Sequence, residues 1–444
     1  NNLQTCSKKG LLMPFKDILK KSYQSIENRD FESAEKFALE LVKMDPAKSG
    51  SYLLLGNIYS KTGNNLKALN YFEKSIELDN NNPEAYNNLA VIYRKMENYP
   101  ASISAINKAY SLQPERHDIC YNIANIYKQT GDTNNALLYY KKALQLQPDF
   151  IEGYNNIGTL YDENSDQNSA LEWYKKGLDF DPNHPTLHYN IGVIYESRNM
   201  LDKALEEYKR ALRSRPGWID GLNNLGIIYH KMGSCSEALS TFKNILKINP
   251  NSAQTHNNLG VVLISMEKLP EAMEHLNKAL DLNPEYYNAS LNLAKVKEGL
   301  GENKAAIDTL WELNRIDEKN TDVLQRLGKL LMDEGSYSKA SILIRGILKL
   351  EPDSSQGYLL LGILNIRVGK QKRALSCFNR SIDLDSENFE ALYQRALIFH
   401  KMSEFNKSTQ DLKKILENNP DSYETRFLLA ELYLKQDLYE QALE

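Results

Sequence analysis

The chain has 444 residues, 54 Lys+Arg against 58 Asp+Glu, a formal net charge of −4, 42% hydrophobic and 25% charged residues. So even a balance gives no bias toward nucleic acid or an anionic membrane surface, and no apolar run reaches the roughly eighteen residues a membrane-spanning helix needs. No signal-peptide pattern opens the chain, and Cys6, Cys120, Cys235 and Cys377 lie too far apart for a disulfide framework or a zinc site, which points to a soluble protein of a reducing, cytoplasmic setting.

Residues 1–14 read as an N-terminal linker or the end of a preceding helix. From residue 15 to 444 a single period governs the chain. Every thirty-fourth residue from Gly56 to Ala430 is glycine or alanine, and Ser22 extends the series backwards. A second small series follows twelve residues behind, from Ala34 through Ala68, Ser102 and Ala136 to Ser408 and Ala442. Small residues at helical crossings let two helices approach closely. Around them lie bulky stripes at helical spacing, such as Tyr86, Leu89 and Tyr93, then Ile106 and Ala109. Gly63, Gly131, Gly233, Gly301 and Gly369 fall inside each pair, where a helix C-terminus favours a left-handed residue. Pro46, Pro114, Pro148, Pro182, Pro216, Pro250, Pro284, Pro352 and Pro420 close the second helix. The unit is helix, tight turn, helix, turn, repeated about thirteen times, an all-α solenoid. The register breaks off at Glu444 inside the last second helix, so the final repeat is incomplete; an ordinary tail and a further domain both remain open.

The motif resembles the tetratricopeptide repeat family. With Gly158 as position 8, one full unit reads Tyr154 (4), Ile157 (7), Gly158 (8), Tyr161 (11), Ala170 (20), Tyr174 (24), Gly177 (27) and Pro182 (32). His188 and His256 depart at position 4, Asn80, Glu318 and Ser386 at position 32, and Lys297 stands where tyrosine or leucine is expected, which predicts a looser stack there. The resemblance implies a right-handed superhelix whose concave face is lined by the first helices.

On those first helices, position 6 is asparagine in seven successive repeats: Asn88, Asn122, Asn156, Asn190, Asn224, Asn258 and Asn292. Leu54 precedes the series, and Arg326, Leu360, Gln394 and Leu428 follow it. An amide donates and accepts, so a row of them can pair with the main chain of an extended peptide; the alternative is that each braces neighbouring helices. The row is similar to the asparagine ladder of the nucleocytoplasmic O-linked N-acetylglucosamine and O-fucose transferases, and "NNLGVVL" at 257–263 is close to their wording. That likeness implies recognition of extended protein segments.

Position 2 carries Glu84, Asp118, Glu152, Asp220 and Asp322, an acidic strip beside the amides or ordinary partners of the helix dipole. Tyr59, Tyr93, Tyr127, Tyr161, Tyr195 and Tyr229 at position 11 read as packing between helices. Leu53 and Tyr121 stand where the family's clamp for chaperone tails needs lysine, and Thr186 and Asn190 where it needs basic residues. No phosphate loop, nucleophile elbow or HExxH motif occurs, and His184 with His188 makes only two ligands. The sequence therefore predicts no catalytic residue, no metal and no cofactor. It predicts a scaffold or adaptor whose groove, from Glu84 to Lys295, holds extended segments of other proteins, without nucleic-acid binding or membrane insertion. The alternatives are a substrate-binding arm of a protein O-glycosyltransferase and a static element of a large assembly such as a ciliary complex.

Overall fold

A computed structural model describes residues 14–443, with the side chain of Leu443 left out. Of the linker expected at 1–14, residues 1–13 lie outside the described residues. The contacts divide the chain into two compact units, one ending at Gly221 and one beginning at Leu222, within a helix. The first unit holds α1 (Phe15–Glu27), α2 (Phe31–Met44), α3 (Ser49–Lys61), α4 (Asn65–Leu78), α5 (Pro83–Lys95), α6 (Tyr99–Leu112), α7 (His117–Gln129), α8 (Thr133–Leu146), α9 (Ile151–Glu163), α10 (Gln167–Phe180), α11 (Pro185–Ser197) and α12 (Leu201–Ser214). Next comes α13 (Ile219–Lys231), in which the division falls. The second unit continues with α14 (Cys235–Ile248), α15 (Ala253–Ser265), α16 (Leu269–Leu282), α17 (Tyr287–Gly299), α18 (Asn303–Ile316), α19 (Thr321–Asp333), α20 (Tyr337–Leu350), α21 (Ser355–Arg367), α22 (Gln371–Leu384), α23 (Phe389–Lys401), α24 (Phe405–Asn418), α25 (Tyr423–Lys435) and α26 (Tyr439–Leu443). The described residues contain no strand.

The boundaries follow from local chemistry. At the start of α2, α4, α6, α8 and α10, Asp30, Asn64, Asn98, Asp132 and Asp166 accept the backbone N–H three residues on, satisfying a donor the helix leaves orphaned. The turn inside each pair always contains a left-handed residue. Gly63, Gly131, Gly233, Gly301, Gly335 and Gly369 supply it without strain, but Arg29, Glu97, Ser165, Asn199, Glu267, Ser403 and Asp437 adopt the same φ near +60°. Between repeats, Asp45, Asp79, Asp181, Asn249, Asn283, Asp317 and Asp385 each accept an N–H two residues on, the Asx geometry of a turn.

Packing within a repeat is an exchange of volume between position 8 and position 24. A Cβ added at Gly56, Gly158, Gly192, Gly226 or Gly362 would stand 2.4, 2.3, 2.7, 2.7 or 2.4 Å from the ring of Phe72, Tyr174, Tyr208, Phe242 or Phe378. Alanine occupies the position where the opposed residue is smaller: Ile106 for Ala90, Leu310 for Ala294, Leu412 for Ala396. Gly260, opposed by Leu276, Gly328, opposed by Ile344, and Ala124, opposed by Tyr140, depart from this rule; the Tyr140 hydroxyl donates to Asn125 Oδ1 (2.6 Å). Where serine replaces a small apolar residue, its hydroxyl is spent across the crossing: Ser22 to Ala34 O (3.0 Å), Ser102 to Ala90 O (2.7 Å), Ser408 to Ala396 O (2.8 Å).

Lys297 does not leave a hole. It is half-buried, and its ammonium donates to Thr309 Oγ1 (2.8 Å) on the second helix of the same repeat. At the last repeat Tyr423 and Phe427 are 75% and 62% exposed.

Within the first unit α3 touches α5 and α5 touches α7; within the second α15 touches α17, α19 touches α21 and α21 touches α23. No second helix makes comparable contact with the second helix of the next repeat among the described residues. First helices therefore crowd together along one side of each unit, and that side carries the asparagines.

Candidate peptide-binding face

Each ladder asparagine is half-buried, neither sealed in the core nor fully in water. In the first unit Asn88 Nδ2 donates to Asn57 Oδ1 (2.8 Å), Asn122 to Asn87 (2.9 Å), Asn156 to the Tyr121 hydroxyl (2.9 Å) and Asn190 to Asn155 (2.8 Å). In the second unit Asn258 donates to Asn223 (2.9 Å) and Asn292 to Asn257 (3.0 Å); Asn224 is also partnered. Most of these bonds run from position 6 back to position 5 of the preceding repeat. One N–H of Asn88, Asn122, Asn156, Asn190, Asn258 and Asn292 is thus committed to the joint between repeats, a bond contributing about 1 kcal/mol net.

The commitment is partial. A primary amide has two N–H donors and an oxygen with two lone pairs. The carbonyl oxygens of Asn156 and Asn258 accept only long contacts, 3.4 Å, from the neighbouring Asn155 and Asn257. Asn156 Nδ2 also reaches Asn125 Oδ1 and the Tyr140 hydroxyl, each at 3.4 Å, so it is the half-buried carbonyl oxygens that are left for the N–H groups of a main chain.

Position 5 is the functional partner that the sequence reading passed over. Its signal was present: Asn87, Tyr121, Asn155, Tyr189, Asn223 and Asn257 all carry a polar acceptor directly before the ladder residue.

The acidic strip is brought to the starts of the first helices but is unevenly available. Asp118 is paired with Arg116, whose Nε lies 2.9 Å from its carboxylate. Asp220 accepts from the Trp218 indole (3.1 Å), and Asp322 pairs with Arg326 (3.3 Å). Glu84 and Glu152 stand exposed. The position-11 tyrosines line the helix crossings: Tyr59 is buried and stacks on Tyr71, its hydroxyl bonded to Glu35, while Tyr127 stacks on Tyr139.

The position-4 histidines have a structural task. In the regular repeat the Tyr154 hydroxyl donates to the Pro148 carbonyl (2.9 Å). His188 Nε2 and His256 Nε2 meet the equivalent Pro182 and Pro250 carbonyls at 2.9 and 3.2 Å, so imidazole replaces tyrosine as the donor. His188 Nδ1 faces Glu207 (2.6 Å). Burial disfavours its charged form, but the bonds to Glu207 and the Pro182 carbonyl outweigh that and hold its pKa above the usual imidazole value. His256 Nδ1 instead faces His275 Nδ1 at 3.0 Å; burial, then the neighbouring His256, depresses the His275 pKa.

Burial raises the pKa of the Cys120 and Cys377 thiols, which keeps both in the unreactive form. Among the described residues no group of three or more His, Cys, Asp or Glu is placed to hold a metal ion. No described helix is long and apolar enough to cross a membrane.

Stacked helical pairs with a polar, solvent-reachable row along one side define a class: the repeat scaffold that makes contacts with other proteins. Models of the tetratricopeptide repeat match residues 83–116, 117–150, 185–217, 219–285, 263–319, 390–422 and 412–444, and a TPR repeat model matches 56–97 and 163–198. The chain belongs to the tetratricopeptide repeat family.

Among individual proteins, it is 28% identical over 138 residues to a DnaJ homolog subfamily C member 3 homolog of Dictyostelium discoideum, 28% of either chain. It is 25% identical over 124 residues to BBSome complex member BBS4 of Bos taurus, covering 28% of this chain and 24% of that one. The chain thus spans about a quarter of the length of these curated relatives. Among solved structures, the APC/C hetero-tetramer Cut9-Hcn1 aligns over 96% of this chain and 92% of that one at 14% identity and TM-score 0.47. Yeast Tom70 aligns over 95% and 96% at 13% identity and TM-score 0.42.

Proposed function

We propose that this chain is an adaptor that holds extended segments of partner proteins along the asparagine rows of its two units, with Asn88, Asn122, Asn156 and Asn190 in the first and Asn224, Asn258 and Asn292 in the second. The observation that carries this reading is the half-burial of amides that spend an N–H on the neighbouring repeat, while the carbonyl oxygens of Asn156 and Asn258 accept only long contacts and can take a ligand's N–H. A main chain presents N–H and C=O at regular intervals whatever its side chains, so such a row selects for extension more than for sequence. Exposed Glu84 and Glu152 favour a basic residue in the bound segment. A multiprotein assembly is the setting that the partial likeness to a BBSome complex member supports.

The bonds between repeats favour a second reading, in which the row only braces the stack. An array of unstructured peptides probed with the intact chain and with the Asn190→Ala/Asn258→Ala variant separates the two. The adaptor reading expects array binding to fall at least tenfold while the melting curve moves only by the ~2 kcal/mol that two such bonds contribute. Unchanged array binding leaves the amides as braces.

A further inference from the structure

The first unit has a feature that the asparagine row does not use. At its N-terminal end, on the first-helix side, α1, α3 and α5 enclose a concavity of about 410 Å³, within the size range of pockets that take up a ligand group. Its wall is apolar, from Tyr23, Ile26, Leu54 and Val91, and Asn57 and Asn88, the first bonded pair of the ladder, form one edge. Tyr23 is 53% exposed, an aromatic ring held at the rim rather than in the core.

Basic side chains border this hollow. Lys61 lines it directly, and Arg94 and Lys95 lie one turn beyond Val91 on the same face of α5. Among the described residues none of the three forms an ion pair. Lysine at a helix C-terminus offsets the helix dipole, which accounts for Lys61 and Lys95. Arg94 shares that last turn, but its Nε is enclosed with no hydrogen-bond acceptor, a costly arrangement for a charged donor that the dipole does not explain.

We infer that this hollow is a side-chain pocket for the bound segment, and that the partner's segment carries a bulky apolar residue flanked by aspartate or glutamate. The inference rests on the adaptor reading and narrows its ligand class: the apolar side chain fills the space between Tyr23, Ile26, Leu54 and Val91, and the flanking carboxylates meet Lys61, Arg94 and Lys95. The ladder supplies grip on the main chain; this pocket supplies sequence preference and register at one end.

The test uses the full chain and a fluorescein-labelled Gly/Ser peptide bearing one phenylalanine between aspartates, followed by fluorescence anisotropy. Binding is expected to weaken at least tenfold when the phenylalanine becomes alanine, when the aspartates become lysine, and in the Lys61→Glu/Lys95→Glu variant. Both substituted side chains are exposed, so circular dichroism should be unchanged. No binding up to about 1 mM, the weak end of specific recognition, overturns the inference, as does indifference to phenylalanine or to Lys61→Glu/Lys95→Glu. The two readings fail separately. If the ladder alone is wrong, the labelled peptide keeps its sensitivity to Lys61→Glu/Lys95→Glu while the peptide array ignores Asn190→Ala/Asn258→Ala. If the pocket alone is wrong, the reverse pattern appears.

Discussion

The first five repeats and the later ones start their second helices differently. Through Asp30, Asn64, Asn98, Asp132 and Asp166, the second helices of the first five repeats begin on a side-chain cap. From there on the equivalent residues, Met200, Ser234, Lys268, Glu302, Ser336, Lys370 and Glu404, make no such bond. The helices nonetheless run to the same length, because the apolar stripe facing the neighbouring helices sets their extent. First helices show the reverse: Ser252, Asn320, Ser354 and Asn388 cap α15, α19, α21 and α23 in the second unit, whereas in the first only α5 is capped, by Asn82. Caps therefore tune stability from helix to helix without altering the fold.

Volume at position 8 offers the largest contrast. Gly158→Ala forces a methyl against the Tyr174 ring and should cost about 2 kcal/mol through overpacking. Gly328→Ala places its methyl 3.5 Å from Ile344, an ordinary contact, and should stabilise by up to about 1 kcal/mol through helix propensity. Chemical denaturation with a probe in each unit measures both; equal effects would dissolve the volume rule.

Next come the caps. Asp132→Ala should lower stability through the lost cap, whereas Glu302→Ala, at the equivalent uncapped site, should leave it nearly unchanged. Hydrogen exchange at the first turns of α8 and α18 reads the difference directly.

Glu97→Gly and Ser165→Gly relieve a left-handed strain of about 1 kcal/mol but give back part of it in unfolded-chain entropy. A net gain of about 0.5 kcal/mol is expected, and Tm is the measurement. No gain would mean that the surrounding turn already compensates.

The smallest effect reverses sign between the units. The folded-state pKa of His188 is raised, so its contribution is full below about pH 6.5 and is lost as pH rises through the folded value. The folded-state pKa of His275 is lowered, so its contribution is present above about pH 6.5 and is lost as pH falls through the folded value. His188→Gln should accordingly lower Tm more near pH 5.5 than near pH 8, and His275→Gln the opposite. Parallel pH profiles for the two variants would contradict the assigned hydrogen-bond roles.

The architecture was legible because its causes are local and periodic: the small residues, the closing prolines and the helix-length stripes each repeat every 34 residues, and each dictates its own neighbourhood. Less legible was whatever joins residues one repeat apart. Asn190 bonds Asn155 across 35 residues, and nothing in the octave around Asn190 points to that partner. The left-handed turn was likewise visible only where glycine marks it; at Glu97 or Asn199 the surrounding helices impose a conformation that the residue itself does not announce. The histidines at position 4 looked like departures, but they keep the donor that Tyr154 provides and change only the ring that carries it.

The bond from one ladder asparagine back to the residue at position 5 of the preceding unit also bears on how such a chain can grow. A unit such as residues 253–286 carries an acceptor at Asn257 for the unit after it and a donor at Asn258 for the unit before it. If that stretch were duplicated in tandem, the new seam would bring a copied Asn258 against the original Asn257, and the amide joint would close again. Lengthening by whole repeats is thus forgiving at this joint, whereas an insertion that is not a multiple of 34 residues would leave an asparagine facing a mismatched neighbour.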